Sequence, residues 1–346
     1  MNTNYTAEVA TPLPLIGLPA RKSAVELFTR IERLRLSPLA TPIERADRLR
    51  RSIPGAPEIY IKRDDLTGYF GGGNKLRKLE YVMADVLAQG AKTVITSGST
   101  TSNLARTTAL VAKRLGLRCV LVLSGGDPSS GSANARITEL LGVDLHIVAT
   151  RGERERKVNE VAESLSQTGE RVYKIPLGAS NEVGSLGMVL AMEEMGIQQL
   201  KLGEQFDAIV FATSSGGTQA GLEAGKRLFG YDNLRLLGVS ADDPSEVIKQ
   251  SVLGALNPVL SNLGLPDGAQ REELYVDDEF VGPGYGISSA ESEEAASLFV
   301  EVEGILLDPV YTSKAAAGLL AYCREGRFRR TDKVLFWHTG GLLTLL

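Results

Sequence analysis

The chain has 346 residues, of which 43% are apolar and 23% are charged, as in an ordinary globular protein rather than a disordered or fibrous one. Its net charge of −4 argues against a dedicated nucleic-acid binder, and no apolar run approaches the roughly 18–20 residues that a membrane span requires. Cys119 and Cys323 fit no disulfide or metal motif, so we expect a cytoplasmic protein. Only two histidines are present, which excludes a histidine-rich metal site. Residues 1–21 do not resemble a signal peptide, because no basic residue precedes the apolar ones and three prolines interrupt them.

Short β-branched runs alternate along the chain with amphipathic stretches. In chain order, we predict a helix over 79–87, strands over 93–97 and 119–123, a helix over 133–141, a strand over 144–149, a helix over 153–166, a strand over 171–175, a helix over 183–195, a strand over 207–212, a helix over 217–228, a strand over 235–240, a helix over 290–302 and a strand over 333–337. Segments 54–57 and 257–268 are predicted to be surface connections. The alternation predicts an α/β fold of parallel sheets with helices on both faces.

The first notable loop, over 71–75, has three glycines followed by Asn74 and Lys75 at the start of a predicted helix. The helix dipole opposes a cation at this end, which lowers the lysine pKa and favours a nucleophilic amine. The alternative is a flexible glycine turn with a solvated lysine.

Two further loops follow predicted strands and enter helices, where ligands bind in such folds. The loop over 213–221 is rich in small and hydroxyl residues, so its backbone N–H groups suit the single phosphate of a small cofactor. The alternative is a tight strand–helix turn. The loop over 98–103 places hydroxyl and amide side chains at a helix start, which suits a carboxylate, although Ser102 is also a natural N-cap.

Together these loops resemble those of pyridoxal-phosphate enzymes of the tryptophan-synthase-β class. The narrower resemblance is to the branch that contains D-cysteine desulfhydrase and 1-aminocyclopropane-1-carboxylate (ACC) deaminase. The matching motifs lie at 61–65, 72–75, 77–80, 102–103, 178–181, 216–221, 284–286, 308–311 and 338–341. The resemblance implies two open twisted, mainly parallel sheets flanked by helices, with pyridoxal 5'-phosphate in the cleft between two domains. The large cofactor-binding domain would comprise residues 1–77 and 187–346, and the small domain residues 78–186.

The resemblance also assigns roles to residues. Lys75 would hold the cofactor as a Schiff base and shuttle the Cα proton of the substrate. Ser102 would receive the substrate carboxylate, and Tyr285 and Tyr311 would flank the substrate, unless these tyrosines are interface aromatics. The cofactor would be contacted by Asn74, by Lys78 close to the phosphate, by Asn103 beside the ring hydroxyl, by the phosphate loop residues Ser214, Ser215, Gly216, Gly217 and Thr218, and by Thr339.

Two threonines favour one branch of the family. The deaminase branch has a glutamate, paired with the pyridine nitrogen, at the position of Thr312. The hydroxyl of Thr339 would be the partner here, as in the desulfhydrase branch. A neutral hydroxyl makes the cofactor a weaker electron sink, which favours expulsion of a leaving group from Cβ over opening of a cyclopropane ring.

The substrate loop departs from the family pattern at Ser99, Thr101 and Leu104, and Ser214 replaces a glycine that is usual in the phosphate loop. The added hydroxyls would either bind a second anionic group, such as a sulfonate, or simply reshape the pocket.

The resemblance therefore predicts a lyase for a small amino acid with a Cβ leaving group. β-Elimination would give pyruvate, ammonia and a thiol or sulfite. The alternatives are ACC deamination, β-replacement as in cysteine synthase, and a non-catalytic ligand-binding protein. We also expect a homodimer.

Overall fold

The computed structural model describes residues 19–37, 40–125 and 133–345, so most of segment 1–21 lies outside the described residues. One sheet has six strands in the order β1-β2-β10-β7-β8-β9, and the other has four in the order β5-β4-β3-β6. The strands are β1 Ile43–Arg45, β2 Glu58–Arg63, β3 Thr93–Ser99, β4 Arg118–Ser124, β5 Asp144–Val148, β6 Val172–Lys174, β7 Ala208–Thr213, β8 Arg235–Ser240, β9 Tyr275–Asp277 and β10 Lys333–His338.

Apart from the antiparallel pair β1–β2, neighbouring strands in both sheets run parallel. Helices flank them: α1 Pro19–Arg30, α2 Asp47–Ser52, α3 Gly68–Gly71, α4 Gly73–Ala88, α5 Asn103–Arg114, α6 Ala133–Leu140, α7 Arg154–Gln167, α8 Glu182–Leu202, α9 Gly217–Phe229, α10 Ser245–Asn262, α11 Ala290–Glu303 and α12 Thr312–Arg324. The prediction of two mainly parallel sheets flanked by helices is confirmed. The predicted domain boundaries stay a prediction, although β3–β6 all fall within residues 78–186.

The prediction of a surface connection over 257–268 is wrong for its first half. Residues 257–262 belong to α10, where Val259 and Leu260 are fully buried. Pro258 lies inside this helix and suggested a break. The buried apolar contacts of the last helical turn outweigh that signal, and the connection begins only at Leu263.

Strand β2 was not predicted, because it contains the charged Lys62 and is followed directly by two aspartates, which are not typical of a buried strand. Those charges are buried in an ion cluster formed by Lys62, Asp64, Arg77 and Glu194. Arg77 donates to both carboxylate oxygens of Asp64 at 2.8 Å and to both of Glu194 at 3.0 Å. Lys62 also donates to Glu194, and Trp337 donates to Asp64 at 2.9 Å. These contacts join the first turns of α4 to β2, β10 and α8. The charges can be buried here because each has an opposite charge beside it.

Glycines let α8 pack closely against its two neighbouring helices. A Cβ at Gly187 would overlap the backbone of Arg77 in α4, and one at Gly221 in α9 would overlap the backbone of Ser185. The backbones therefore approach more closely than any larger residue allows. This packing brings the amino-terminal ends of α4 and α9 to the same region of the molecule.

Across the described ranges, none of the helices combines the length and the apolar character needed to cross a membrane.

Candidate active site

Loops at the carboxyl ends of strands from both sheets enclose a cavity of about 350 Å³. This volume falls in the usual range for small-ligand sites. Every residue predicted for the site lines it except Lys78 and Gly217: the lining includes Asn74, Lys75, Ser102, Asn103, Ser214, Ser215, Gly216, Thr218, Tyr285, Tyr311 and Thr339. The structure thus brings together residues that are more than 260 positions apart in the chain.

Lys75 lies in the first turn of α4 and is half-buried. Its Nζ forms no hydrogen bond or ion pair within the described residues. Burial lowers the pKa of Lys75 to about 8, and the nearby Asp242 carboxylate partly opposes that shift. Lys75 lines the cavity and lies in the first turn of α4, which favours the nucleophilic amine over a solvated lysine on a flexible turn. Loss of hydration is the main cause of the lowered pKa, whereas the sequence suggested the helix dipole.

The start of α4 is fixed against β10. The backbone N–H of Asn74 donates to the carbonyl oxygen of Thr339 at 3.0 Å. A Cβ at Gly73 would overlap that same oxygen, and the φ of Gly73 is +58°. Only glycine permits this close approach, which sets Lys75 and Thr339 on adjoining walls of the cavity.

The loop between β7 and α9 forms a concave cradle. Gly216 has a φ of +83° and Ser214, Ser215 and Thr218 line the cavity around it. The side-chain amide of Asn74 donates to the Thr218 hydroxyl oxygen at 2.9 Å. Consecutive N–H groups and hydroxyls at the start of a helix suit an anion.

Gly217 supports the cradle from behind. Its N–H donates to the Ser180 hydroxyl oxygen at 3.1 Å, and that oxygen lies 2.9 Å from the Ser215 hydroxyl oxygen. A Cβ at Gly217 would lie 2.6 Å from the Cα of Ser180. Gly217 is therefore required for packing rather than for direct contact with a ligand.

Lys78 is fully buried just behind the cavity wall. Its Nζ donates to the carbonyl oxygen of Gly178 at 3.0 Å, and Gly178 lines the cavity. Burial, reinforced by the neighbouring Lys75, lowers the pKa of Lys78 well below its ordinary value. The protein provides no carboxylate for this amine within the described residues, so an anion in the cradle is the counter-charge that would complete its environment.

Ser102 is the N-cap of α5 and accepts a hydrogen bond from the N–H of Ala105 at 3.2 Å. The capping role considered from sequence is therefore real, and it leaves Ser102 facing the cavity. Asn103 is buried beside it, and its Oδ1 accepts from Arg106 and Asn134 at 3.4 Å each. Capping and ligand binding are compatible here, because each uses a different part of the same helix start.

The two predicted tyrosines meet within the cavity. The hydroxyl oxygens of Tyr285 and Tyr311 lie 2.7 Å apart, and the Ser99 hydroxyl oxygen lies 3.3 Å from that of Tyr285. Lys314 fixes the Tyr285 turn by donating to the carbonyl oxygens of Gly284 at 2.7 Å and of Val281 and Ala241. Both phenol groups therefore line the cavity of a single chain.

Thr312 and Thr339 occupy different environments. Thr339 lines the cavity at the end of β10, but Thr312 does not. The Thr312 hydroxyl donates to the Asp308 carboxylate at 2.7 Å and accepts from the Asp308 N–H at 2.8 Å. Of these two threonines, therefore, only Thr339 can offer its hydroxyl to a ligand in the cavity.

Three charged residues of the lining escaped prediction: Asp242, Arg151 and Arg154. Asp242 follows β8 and accepts from the Ser214 hydroxyl at 3.0 Å, while burial raises the pKa of its carboxyl. The two arginines follow β5. Arg151 lies in the short connection after the predicted strand 144–149, and Arg154 lies at the start of the following predicted helix, so both belong to the edge of the sheet where ligands bind.

Residues 34–340 match the model of the family described as "Pyridoxal-phosphate dependent enzyme". The D-cysteine desulfhydrase of Yersinia pestis is 37% identical over 319 residues, which cover 91% of this chain and 95% of that protein. That of Klebsiella pneumoniae is 36% identical over 323 residues, covering 92% and 96%. The crystal structure of an ACC deaminase homologue superposes with a TM-score of 0.86 at 35% identity, covering 94% of this chain and 96% of that chain. The chain therefore belongs to the pyridoxal-phosphate dependent enzymes, and its cofactor is pyridoxal 5'-phosphate.

Proposed function

We propose that the protein eliminates a Cβ leaving group from a small amino acid, as a D-cysteine desulfhydrase does, and releases pyruvate, ammonia and a thiol or sulfite. The observation that carries the proposal is the amine of Lys75, which has no hydrogen-bond or ion-pair partner among the described residues. Its pKa is about 8, and it shares one cavity with the capped helix start at Ser102 and the tyrosine pair. This arrangement supplies a base beside a place for an amino acid.

The cavity suits pyridoxal phosphate on its own geometry. The Gly216 cradle would hold the phosphate at the start of α9, and the buried Lys78 would face that charge through Gly178. Asn103 and Thr339 would contact the ring, with the Thr339 hydroxyl towards the pyridine nitrogen. Lys75 Nζ would bond to the aldehyde carbon. When bound, the cofactor withdraws electrons from the substrate Cα.

The protein side chains bind the substrate, orient it and move its protons. The Ser102 hydroxyl and the start of α5 bind the substrate carboxylate through N–H groups and the positive end of the helix. The Lys75 amine would take the proton from the substrate Cα and hold it at Nζ. Tyr285 and Tyr311 form a hydrogen-bonded pair that orients the Cβ substituent and holds a proton between their oxygens.

The Thr339 hydroxyl favours elimination over ring opening, because it leaves the pyridine nitrogen without a carboxylate partner. Thr312 offers no alternative, since its hydroxyl is held by Asp308. Opening of the ACC ring requires a longer-lived negative charge at carbon, which a protonated pyridine nitrogen would stabilise. The arrangement at this wall therefore supports the desulfhydrase type of reaction.

A panel of substrates tests the proposal with the holoenzyme. We would supply D- and L-cysteine, D- and L-cysteate, β-chloroalanine and ACC, and also O-acetylserine with sulfide. Pyruvate from the β-substituted amino acids is expected, at a rate that Lys75→Ala abolishes and the exposed Lys113→Ala leaves unchanged. Formation of 2-oxobutyrate from ACC alone, or of cysteine without pyruvate, would refute elimination and identify the deaminase or the replacement reaction instead.

We further propose a cytoplasmic homodimer that does not bind nucleic acid. Support for the dimer comes from exposed apolar side chains on α6 and the edge strand β5, namely Leu140, Leu145 and Ile147. The cytoplasmic assignment draws on Cys119 and Cys323, which are buried and unpaired. Light scattering of the purified holoenzyme, with Ile147→Asp as a variant, tests the dimer. A mass of one chain at micromolar concentration would refute it.

A further inference from the structure

Arg154 brings a charge into the cavity that the described protein does not neutralise. It is the first residue of α7, is half-buried, and lines the same cavity as Lys75. Its Nε donates to the Ser124 hydroxyl oxygen at 2.7 Å, and over the described ranges its guanidinium forms no ion pair. A half-buried guanidinium has lost part of its hydration, so it is suited to an anion, and none of the described residues supplies one.

The neighbouring Arg151 shows the contrast. Its guanidinium donates to both carboxylate oxygens of Asp243, at 2.8 and 3.3 Å. Arg151 is therefore paired at the cavity mouth, unlike Arg154. Burial and, to a smaller extent, the nearby Arg151 guanidinium lower the pKa of Arg154. The carboxylate in the lining, Asp242, lies 3.8 Å from Arg151 and accepts from Ser214, so it is engaged elsewhere.

Arg154 lies on the substrate side of the cavity rather than beside the phosphate cradle. Its partner Ser124 ends β4 and pairs in register with Ser99 at the end of β3. Ser99 in turn contacts the Tyr285 hydroxyl at 3.3 Å. The cradle belongs to the other sheet, between β7 and α9. A continuous polar wall therefore runs from Arg154 to the tyrosine pair without crossing the cofactor phosphate site.

We infer that Arg154 binds a second anionic group on the substrate, so that the enzyme prefers amino acids with a sulfonate or carboxylate on Cβ over neutral ones. Arginine is suited to this task because its fork of N–H groups matches an oxyanion. The Ser99 and Ser124 hydroxyls lie on the same wall and add donors. This inference rests on the proposed function, because it specifies the substrate class of that same cavity.

The chemistry of the sulfonate case balances without a further reactant. Cysteate loses its Cα proton to Lys75, and the electron pair of the Cβ–S bond leaves with sulfur as sulfite. Water then hydrolyses the resulting three-carbon enamine to pyruvate and ammonium. Overall, cysteate and water give pyruvate, ammonium and bisulfite. A Cβ carboxylate has no comparable leaving group, so aspartate would bind without being consumed.

Equilibrium binding to the holoenzyme tests the inference directly. Aspartate and asparagine have almost the same shape and differ in the distal charge, so the ratio of their dissociation constants isolates that charge. We expect aspartate to bind about ten- to a hundredfold more tightly, the range for one hydrogen-bonded charged contact. Both enantiomers are measured by calorimetry and by the change in the visible absorbance of the cofactor.

Arg154→Gln should reduce this preference to about twofold or less while leaving the asparagine constant unchanged. The matched control is Arg156→Gln, an exposed arginine on the same helix, which should keep the preference. Arg154→Lys, which keeps the charge but loses the fork, should retain part of it and serves if the glutamine variant does not fold. Asp127→Asn, in the segment outside the described residues, should have no effect. A change as large as that of Arg154→Gln would make Asp127 the partner of Arg154 and overturn the inference.

The remaining outcomes separate this inference from the proposed reaction. Equal affinity for aspartate and asparagine, or a preference that survives Arg154→Gln, would overturn the inference while pyruvate formation from β-chloroalanine still supported elimination. An Arg154-dependent preference with no pyruvate from any β-substituted amino acid would overturn elimination and keep the anion site. Turnover supplies a third comparison, because Arg154→Gln should lower kcat/KM for cysteate by about ten- to a hundredfold more than for cysteine.

Discussion

The buried amine of Lys75 predicts how fast the apoenzyme captures its cofactor at different pH values. Only the neutral amine attacks an aldehyde. With a pKa of about 8, roughly a quarter of Lys75 is neutral at pH 7.5, whereas an ordinary lysine of pKa 10.5 would be neutral in roughly one molecule per thousand. We therefore expect capture at pH 7.5 to run within about fourfold of its maximum, and about two hundredfold faster than for an ordinary lysine in the same place.

The assay mixes apoenzyme with pyridoxal phosphate and follows the visible absorbance band from pH 6 to 10. Nα-acetyl-lysine is measured in the same buffers, and its rate divided by the neutral fraction of its own amine reports the pH dependence that the cofactor itself contributes. After that correction the rate should reach half its maximum near pH 8. Lys75→Ala should give no band.

Asp242→Asn sharpens the test because the Asp242 carboxylate raises the pKa of Lys75. Removing that charge should move the midpoint to a lower pH and raise the rate at pH 7. Asp243→Asn is the control, since Asp243 pairs with Arg151 and does not line the cavity. A midpoint above about 10, the ordinary lysine range, or an upward shift in Asp242→Asn, would refute the conclusion that burial lowers the pKa of Lys75 and that Asp242 opposes the shift.

Three further variants test other parts of the site. Gly217→Ala should lower cofactor affinity about tenfold or more, because its Cβ would lie 2.6 Å from the Cα of Ser180 and displace the cradle. Gly254→Ala, whose Cβ would meet nothing within 4 Å, should bind the cofactor normally in equilibrium dialysis, and equal loss in both would refute the cradle. Lys78→Met should raise the melting temperature of the apoenzyme, since it removes a buried amine without a carboxylate partner, yet weaken cofactor binding about ten- to a hundredfold. Unchanged affinity would mean that Lys78 has only a packing role. Thr312→Val should lower the free energy of unfolding by about 1–3 kcal/mol in urea titrations, because it breaks the bond to the buried Asp308, while leaving the visible absorbance maximum unchanged. A shifted maximum would show that Thr312 acts on the cofactor.

The sequence predicts the elements whose signals are local. The short β-branched strands β3 to β8 and the amphipathic helix α4 follow from hydrophobic periodicity, and the glycines before Lys75 mark a turn into a helix. β2 and α10 could not be predicted in this way, because Lys62 and Pro258 give the opposite local signal. Only distant partners, Glu194 for the lysine and buried apolar neighbours for the end of α10, reverse it.

The site residues also fall into two groups, those in local sequence motifs and those whose role depends on distant neighbours. Lys75, the cradle and the tyrosines belong to motifs that are visible in the chain. Asp242 and Arg154 follow strands without a motif, and their importance arises from which side chains surround them. The pKa of Lys75 is a further case, since the sequence indicates its direction through the helix start but the main cause, burial, depends on the folded cavity.

The ion cluster around Arg77 has a consequence for how this chain can change over evolutionary time. Asp64, Arg77 and Glu194 come from three separate segments, and each supplies the counter-charge for another. Loss of any one leaves a buried charge unpaired, which costs about 3–5 kcal/mol and is a large part of the stability of a typical domain. A change at one of these positions therefore requires a compensating change in another segment, so single substitutions are disfavoured there. The substrate wall at Ser99 and Arg154 carries no such constraint, and new specificities can arise there while the scaffold sequence stays recognisable.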